Sequence, residues 1–485
     1  MNEVILVIVI LLITTVVLLT LFSSFNRSKD SQNFFDIVSK GTSAEVQKAI
    51  KAEAKVNKRD SEGWTPLMSA AGYNKNPEVV MTLIKAGANV NERNSERETP
   101  LMFAARINQN PEVVTALIKV GANFNDQDSI GLTPLMLAAR YNQNPEVVMS
   151  LIKAGANINE RDSSGWTPLM FAAINQNPEM VAELIKAGAN INNRASSGQT
   201  PLMSAAGHNQ NPDVVMTLIK AGANVNERDS FGWSLLMYAA YSNHNPEVIT
   251  ALIKAGANDN ERNSNRGTPL MYAARYNQNP EVMAALIKAG ANVNDRDSDG
   301  QTPLMLAAIN QNPEMITVLI NKGANVNDLD SHGWSPLIFA ARDNQNIEVV
   351  MSLIKAGANI NERDSNGWTP LIYAAWQNQN PEVIAALIKA GANVNDRDST
   401  GWTPLMCAAY NNQNPEVISV LLKSGADGTL RSNKGMNAHQ HYLDADQLFR
   451  RTLRSDKETA FDYAKNNEKI KGTYAYRELK DAQYN

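Results

Sequence analysis

Residues 166–198 read WTPLMFAAINQNPEMVAELIKAGANINNRASSG, and this stretch decides the fold. Thr167 places a hydroxyl directly ahead of Pro168, a capping residue followed by one with no N–H to leave unsatisfied in the first helical turn. Leu169, Ala172 and Ala173 then fall on one face of a short helix. Asn177-Pro178-Glu179 repeats the start signal for a second helix. Its Val181, Leu184 and Ile185 are apolar, and Lys186-Ala187-Gly188 ends it with a glycine suited to a left-handed cap. The polar stretch 190–198 reads as a protruding turn. Two antiparallel helices and a turn make one unit.

The same phrase occurs eleven times. Its anchor is the proline at Pro66, Pro100, Pro134, Pro168, Pro201, Pro269, Pro303, Pro336, Pro370 and Pro404, with Leu235 in its place once. The spacing is 34 residues, except for 33 after Pro168 and after Pro303. A fixed period of this size marks a repeat whose apolar face is buried only by stacking on its neighbours. A longer period lies above it: residues 66–200 and 201–335 carry the same order of unit lengths, and 66–95 differs from 201–230 at only four positions. Duplication of a four-unit block accounts for this, so features shared by the blocks can be inherited copies.

The Gly-x-Thr-Pro-Leu opening, the Ala-Ala pair and the Gly-Ala-Asn-x-Asn ending resemble the ankyrin repeat, over about four-fifths of the chain. The resemblance implies an all-α solenoid of helix-turn-helix units joined by protruding β-turn loops, and a role in binding protein. Two departures are systematic. Where that family usually has histidine after Thr-Pro-Leu, this chain has methionine nine times (Met68 to Met406) and isoleucine at Ile338 and Ile372. The hydroxyl–imidazole contact is therefore absent, and adaptable apolar packing is expected instead. Nine of the eleven units also carry one extra residue, expected in the loop between their helices.

Eleven repeats span 66–437, and residues 33–65 read as an N-terminal capping repeat with Phe34, Phe35, Ile37 and Val38 on its first helix. Beyond them, Leu430-Arg431-Ser432-Asn433-Lys434 is echoed by Leu453-Arg454-Ser455-Asp456-Lys457. Residues 438–485 are thus an irregular C-terminal capping region, with 438–452 an inserted or truncated piece. Residues 4–22 (VILVIVILLITTVVLLTLF) carry no charge. As a helix they would reach roughly 28 Å, close to the hydrocarbon thickness of a bilayer. A cleaved signal fits less well, because Met-Asn-Glu offers no basic residue and Leu21–Phe25 no small-x-small site. The expectation is one transmembrane helix at 4–22 and a linker at 23–32. Arg27, Lys29 and Lys40 all follow the segment, which favours cytoplasmic repeats by the positive-inside tendency.

Forty-five basic and forty-nine acidic residues leave a net charge of −4, so no strong field favours nucleic acid. The single cysteine, Cys407, excludes an internal disulfide and a cysteine-cluster metal site. No catalytic, cofactor or metal site emerges: His439 and His441 have only Asp444 and Asp446 near them, and Glu-Arg-Asp-Ser in the turns reads as a solvated turn with local ion pairing.

Two variable series are candidates for partner contact. One follows Thr-Pro-Leu-Met and includes Phe103, Phe171, Tyr238, Tyr272, Phe339 and Tyr373. In the family this position lies toward the concave face, where aromatic residues anchor interfaces. The other precedes Thr-Pro in the turn and holds six of the seven tryptophans: Trp64, Trp166, Trp233, Trp334, Trp368 and Trp402. Packing against neighbouring units is the competing role for both. In two turns Arg97 and Arg266 replace the glycine, so local rebuilding of those turns is expected. The whole reads as a monomeric, membrane-tethered scaffold or adaptor for a protein partner, without enzymatic activity. An extracytoplasmic or secreted structural or host-directed protein, or a dedicated inhibitor or chaperone of one enzyme, is the alternative.

Overall fold

The computed structural model describes residues 29–432. The apolar run 4–22 and the C-terminal region 438–485 lie outside the described residues. Among the described residues there are twenty-four helices, and no helix is long and apolar enough to cross a membrane. There is no strand among them; one isolated antiparallel bridge, Arg228 to Ser234, marks the two legs of a turn.

The chain divides into two compact units. One holds the described residues up to Ala205 together with Asn211–Asn224, and the other holds Ala206–Gln210 and the residues from Val225 onward. In both, the first helix of a repeat packs on the first helix of the next, and the second helix on the second. The first helices are buried almost all round: in Pro66–Tyr73, Leu67, Met68, Ala70 and Ala71 are fully covered. The second helices are one-sided. Pro77–Lys85 buries Val79, Val80 and Leu83 while Glu78 and Lys85 face out. This amphipathic stripe is what the apolar spacing demands.

Capping explains the sharp ends. Thr65 Oγ1 accepts from the Met68 amide at 3.3 Å, and the Thr65 amide donates to Met68 Sδ at 3.4 Å. The same reciprocal pair recurs at Thr99, Thr133, Ser234, Thr268 and Thr302. In these six units the methionine therefore does more than fill space: its thioether is the weak acceptor that completes the capping box. Thr167, expected to cap Pro168–Ala173, makes no side-chain cap bond, and Thr403 makes only the hydroxyl half. Ile338 and Ile372 keep only the hydroxyl half. At the other end Gly87, at φ +94°, lets the Ala88 amide reach back to Leu83 O, a glycine-terminated helix end.

The extra residue of the 34-residue units lengthens the first helix and not the loop. Those helices run eight residues, as in Pro100–Ile107, whereas the 33-residue units have Pro168–Ala173 and Pro303–Ala307. The asparagine after the helix keeps its place in both kinds. Asn108 Nδ2 donates to Ala71 O and Asn74 O of the preceding repeat, and Asn378 Nδ2 to Ala341 O and Asn344 O. Asn175 and Asn310, in the shorter units, do likewise. A buried amide that satisfies buried carbonyls in each unit fixes the register of stacking, so length variation is absorbed where no such bond is at stake.

At the N-terminal end, Lys29–Lys40 and Ser43–Lys51 form a helix pair, the first starting inside the stretch read as linker. No proline or glycine in that stretch stops the helix from extending backward. Phe35 is buried in one cluster with Trp64, Met68 and Phe103.

Candidate interaction face

All but one of the described turns are organised by an aspartate or asparagine two residues ahead of the tip; at 195 alanine takes its place and Ser197 Oγ accepts from the Gln199 amide instead. Asp128 Oδ1 accepts from the amides of Ile130 at 2.9 Å and Leu132 at 2.8 Å, and the Gly131 amide closes on Asp128 O. A Cβ on Gly131 would stand 2.9 Å from the Ser163 amide nitrogen of the next turn, so glycine is required there by crowding as well as by its φ of +88°. Arg97 and Arg266 adopt the same left-handed conformation, at φ +65° and +59°, and keep the closing bonds to Asn94 O and Asn263 O. These turns are not rebuilt: the arginine side chains point to solvent and the backbone carries the strain. Burial pushes the carboxyls of Asp128, Asp162 and Asp297 above the ordinary aspartate range, against the amide bonds that pull them down.

The second carboxylate oxygen ties the turn to an aromatic ring. Tyr238 OH donates to Asp229 Oδ2 at 2.6 Å, Tyr373 OH to Asp364 Oδ2 at 2.7 Å, and Trp368 Nε1 to Asp398 Oδ2 at 3.0 Å. Asn263 Nδ2 donates to Tyr272 OH. Trp334 Nε1 is buried with no partner, since Tyr373 has taken the carboxylate oxygen in that register. Both candidate series thus belong largely to the packing. Trp64, Trp334 and Trp402 are buried, as are Phe103, Phe171, Phe339 and Tyr373. Trp166, Trp233, Trp368, Tyr238 and Tyr272 are half-buried.

The accessible aromatic surface lies one helical turn further on, at positions the sequence reading passed over. In the unit from Val225 onward, Tyr241, Tyr276, Trp376 and Tyr410 are half-buried at the ends of the first helices. Tyr241 and Tyr276 have centroids 4.8 Å apart, and Trp376 stacks on Tyr410 at 5.8 Å with planes 17° apart. They rest on the deeper rings: Trp233 against Tyr241, Trp368 against Trp376, and Trp402 against Tyr410. The arginine of Arg275 lies over Tyr276, and Arg342 over Trp334 at 4.4 Å. In the other unit Arg140 covers Tyr141 and Phe171, and Arg106 covers Phe103 while pairing with Glu98. The recoverable signal was the spacing, Tyr238 with Tyr241 and Tyr373 with Trp376, which places the second ring above the first on one helix face.

Charges on the turns pair across repeats, not within a turn. Arg59 reaches Glu92, Arg93 reaches Asp126 at 3.1 Å, Arg228 reaches Glu261 at 3.6 Å, Arg262 reaches Asp295 at 2.8 Å, Arg296 reaches Asp328 at 3.1 Å, and Arg363 reaches Asp396. Where Gln127 replaces arginine, its amide donates to Glu160. Among the described residues no cluster of His, Cys, Asp and Glu is arranged to hold a metal ion, and the His439–His441 pair lies outside them. Burial drives the Cys407 thiol well above its ordinary range, which makes it a poor nucleophile.

A family model described as ankyrin repeats (3 copies) matches residues 34–128, 107–195, 135–229, 176–263, 202–297, 270–364 and 337–432. Among curated proteins none matches the chain.

Proposed function

Because this chain belongs to the ankyrin-repeat family, we propose that it is a non-catalytic binding protein, a scaffold or adaptor whose partner docks on the half-buried aromatic ends of the first helices. Two aromatic pairs carry the reading, Tyr241 with Tyr276 and Trp376 with Tyr410, with Ile309 and Arg342 at the place of Tyr241 and Trp376 in the two repeats between them. These rings are anchored from beneath and only half-buried, so a partner gains apolar contact at little cost in side-chain ordering. Residues 4–22 tether the protein to a membrane, and the repeats face the cytoplasm; the uncharged run and the basic residues that follow it support this placement.

The test is a variant with Tyr241, Tyr276, Trp376 and Tyr410 changed to serine. Proteins cross-linked to the wild type in its own cells are expected to be lost from this variant, which should still unfold cooperatively at a lower temperature, and to be kept by a Trp402→Phe variant that perturbs only the buried packing. Unchanged cross-linked partners on the folded four-site variant, or equal loss from Trp402→Phe, would refute the proposed face. Alkaline phosphatase fused after residue 485 should be inactive; an active fusion would place the repeats outside the cytoplasm and favour the extracytoplasmic alternative.

A further inference from the structure

The ladder of ion pairs between turns has a gap. Leu329 stands where the preceding and following turns carry Arg296 and Arg363. Among the described ladder carboxylates whose preceding turn lies in the same unit, Glu362 alone meets neither a guanidinium nor an amide from that turn. Its one hydrogen bond is from Asn359 Nδ2, at 2.7 Å within its own turn.

The filled positions show what the gap is shaped for. Arg262 forks, with Nη2 on Asp295 Oδ1 at 2.8 Å and Nη1 on the Arg296 carbonyl at 3.0 Å. Arg296 likewise pairs with Asp328 and donates to the Leu329 carbonyl at 2.6 Å. In the same register the gap offers the Glu362 carboxylate and the Arg363 carbonyl, to which no described group donates. Two acceptors of this kind, side by side, suit a planar fork of donors better than a point-like ammonium.

The gap is confined to the ladder position, because the turns on either side still stack closely: a Cβ on Gly333 would stand 3.3 Å from Asp364 Cα and 3.4 Å from the Ser365 amide nitrogen. The floor stays intact, because Asn327 Nδ2 reaches Gly357 O and the Asn359 amide reaches Asn327 Oδ1. Leu329 is 38 % exposed at the edge, an apolar surface for the methylene stem of an incoming side chain.

We propose that this notch receives an arginine from an extended segment of the partner protein, its guanidinium completing the ladder on Glu362 and the Arg363 carbonyl. The proposal rests on the protein-binding reading and names one chemical feature of the partner. It is also a specificity device: among the described ladder carboxylates whose preceding turn lies in the same unit, this is the place left for an arginine from outside.

The experiment titrates N-acetyl-arginine amide into the full-length chain in detergent, following the Leu329 methyl resonances by NMR. The lysine and citrulline amides are run in parallel. A saturable shift with the arginine amide is expected, at least about threefold weaker with lysine, and none with neutral citrulline. Glu362→Gln should abolish the shift without changing thermal unfolding. Absence of a saturable shift, an equal response to citrulline, or persistence in Glu362→Gln would overturn the proposal. Failure here with loss of cross-linked partners from the four-site aromatic variant would strike the notch alone. Arginine binding with unchanged cross-linked partners would strike the aromatic face alone.

Discussion

Replacing Asn378 by alanine tests what holds one repeat to the next. The side chain is fully buried. Its amide donates to Ala341 O and Asn344 O, both at 2.8 Å, and its carbonyl accepts from the Asn380 amide at 2.9 Å. Alanine removes all three bonds and leaves their backbone partners buried. A net hydrogen bond is worth about 1 kcal/mol, and each stranded buried group costs roughly 1–3 kcal/mol, partly relieved if water enters the space. The expected loss is about 3 kcal/mol. Asn380, two residues on, is the internal control: it caps the Glu382 amide and reaches Gln345 O from a more exposed position. Its change to alanine should cost about 1 kcal/mol, as an ordinary cap does. Because a repeat array unfolds by units, amide hydrogen exchange at Ala375 and Ala341 is the assay, with urea unfolding beside it. Asn378→Asp should be worse than alanine at neutral pH, since a carboxylate would face two carbonyl oxygens. If Asn378→Ala costs no more than Asn380→Ala, the buried asparagines do not hold the register and the reasoning fails.

Arg266→Gly should raise stability by about 1 kcal/mol by removing a side chain from φ +59°, read as a higher urea midpoint with unchanged slope. Leu329→Arg should close the ladder on Glu362 and add about 0.5 kcal/mol at low salt, a gain that disappears in about 1 M salt. For Asp128, whose carboxyl is raised by burial, the sign is as follows: its contribution is fully present below the unfolded value and is lost as pH rises through the raised folded value. Asn at this position keeps the acceptor for the Ile130 and Leu132 amides, as Asn94 does for Glu96 and Glu98. Stability of Asp128→Asn relative to wild type should therefore climb from acid toward neutral pH; a flat difference between pH 3 and 7 would contradict the burial argument. Trp402→Ala, with no exposed surface to lose, should cost about 3–5 kcal/mol, whereas Tyr410→Ala should cost markedly less.

The architecture was legible because its determinants are local and repeated. Thr65-Pro66, Asn76-Pro77 and Gly87 state helix starts and a stop in the order they occur, and the period requires stacking. The candidate face was only half legible. Trp402 and Phe103 stood out as variable aromatics, yet both are buried, because a variable residue on a first helix can be directed at its neighbour as easily as at solvent. Trp376 and Tyr410 went unnoticed because exposure depends on the next repeat, not on the residue itself.

Sequence alone determined that this chain is a stack of ankyrin units, where each begins and ends, and that charged residues recur in its turns and on its second helices. The tertiary structure decided which partner each polar group has. Met68 Sδ completes a cap, Asn108 spans two repeats, and Arg262 pairs with Asp295 in the next turn, so that Leu329 leaves Glu362 open. The physical reason is range: helix signals and the Thr65–Met68 cap act within one turn of chain, whereas the bonds of Asn108 and Arg262 join residues 33 or more apart and exist only once the repeats have stacked.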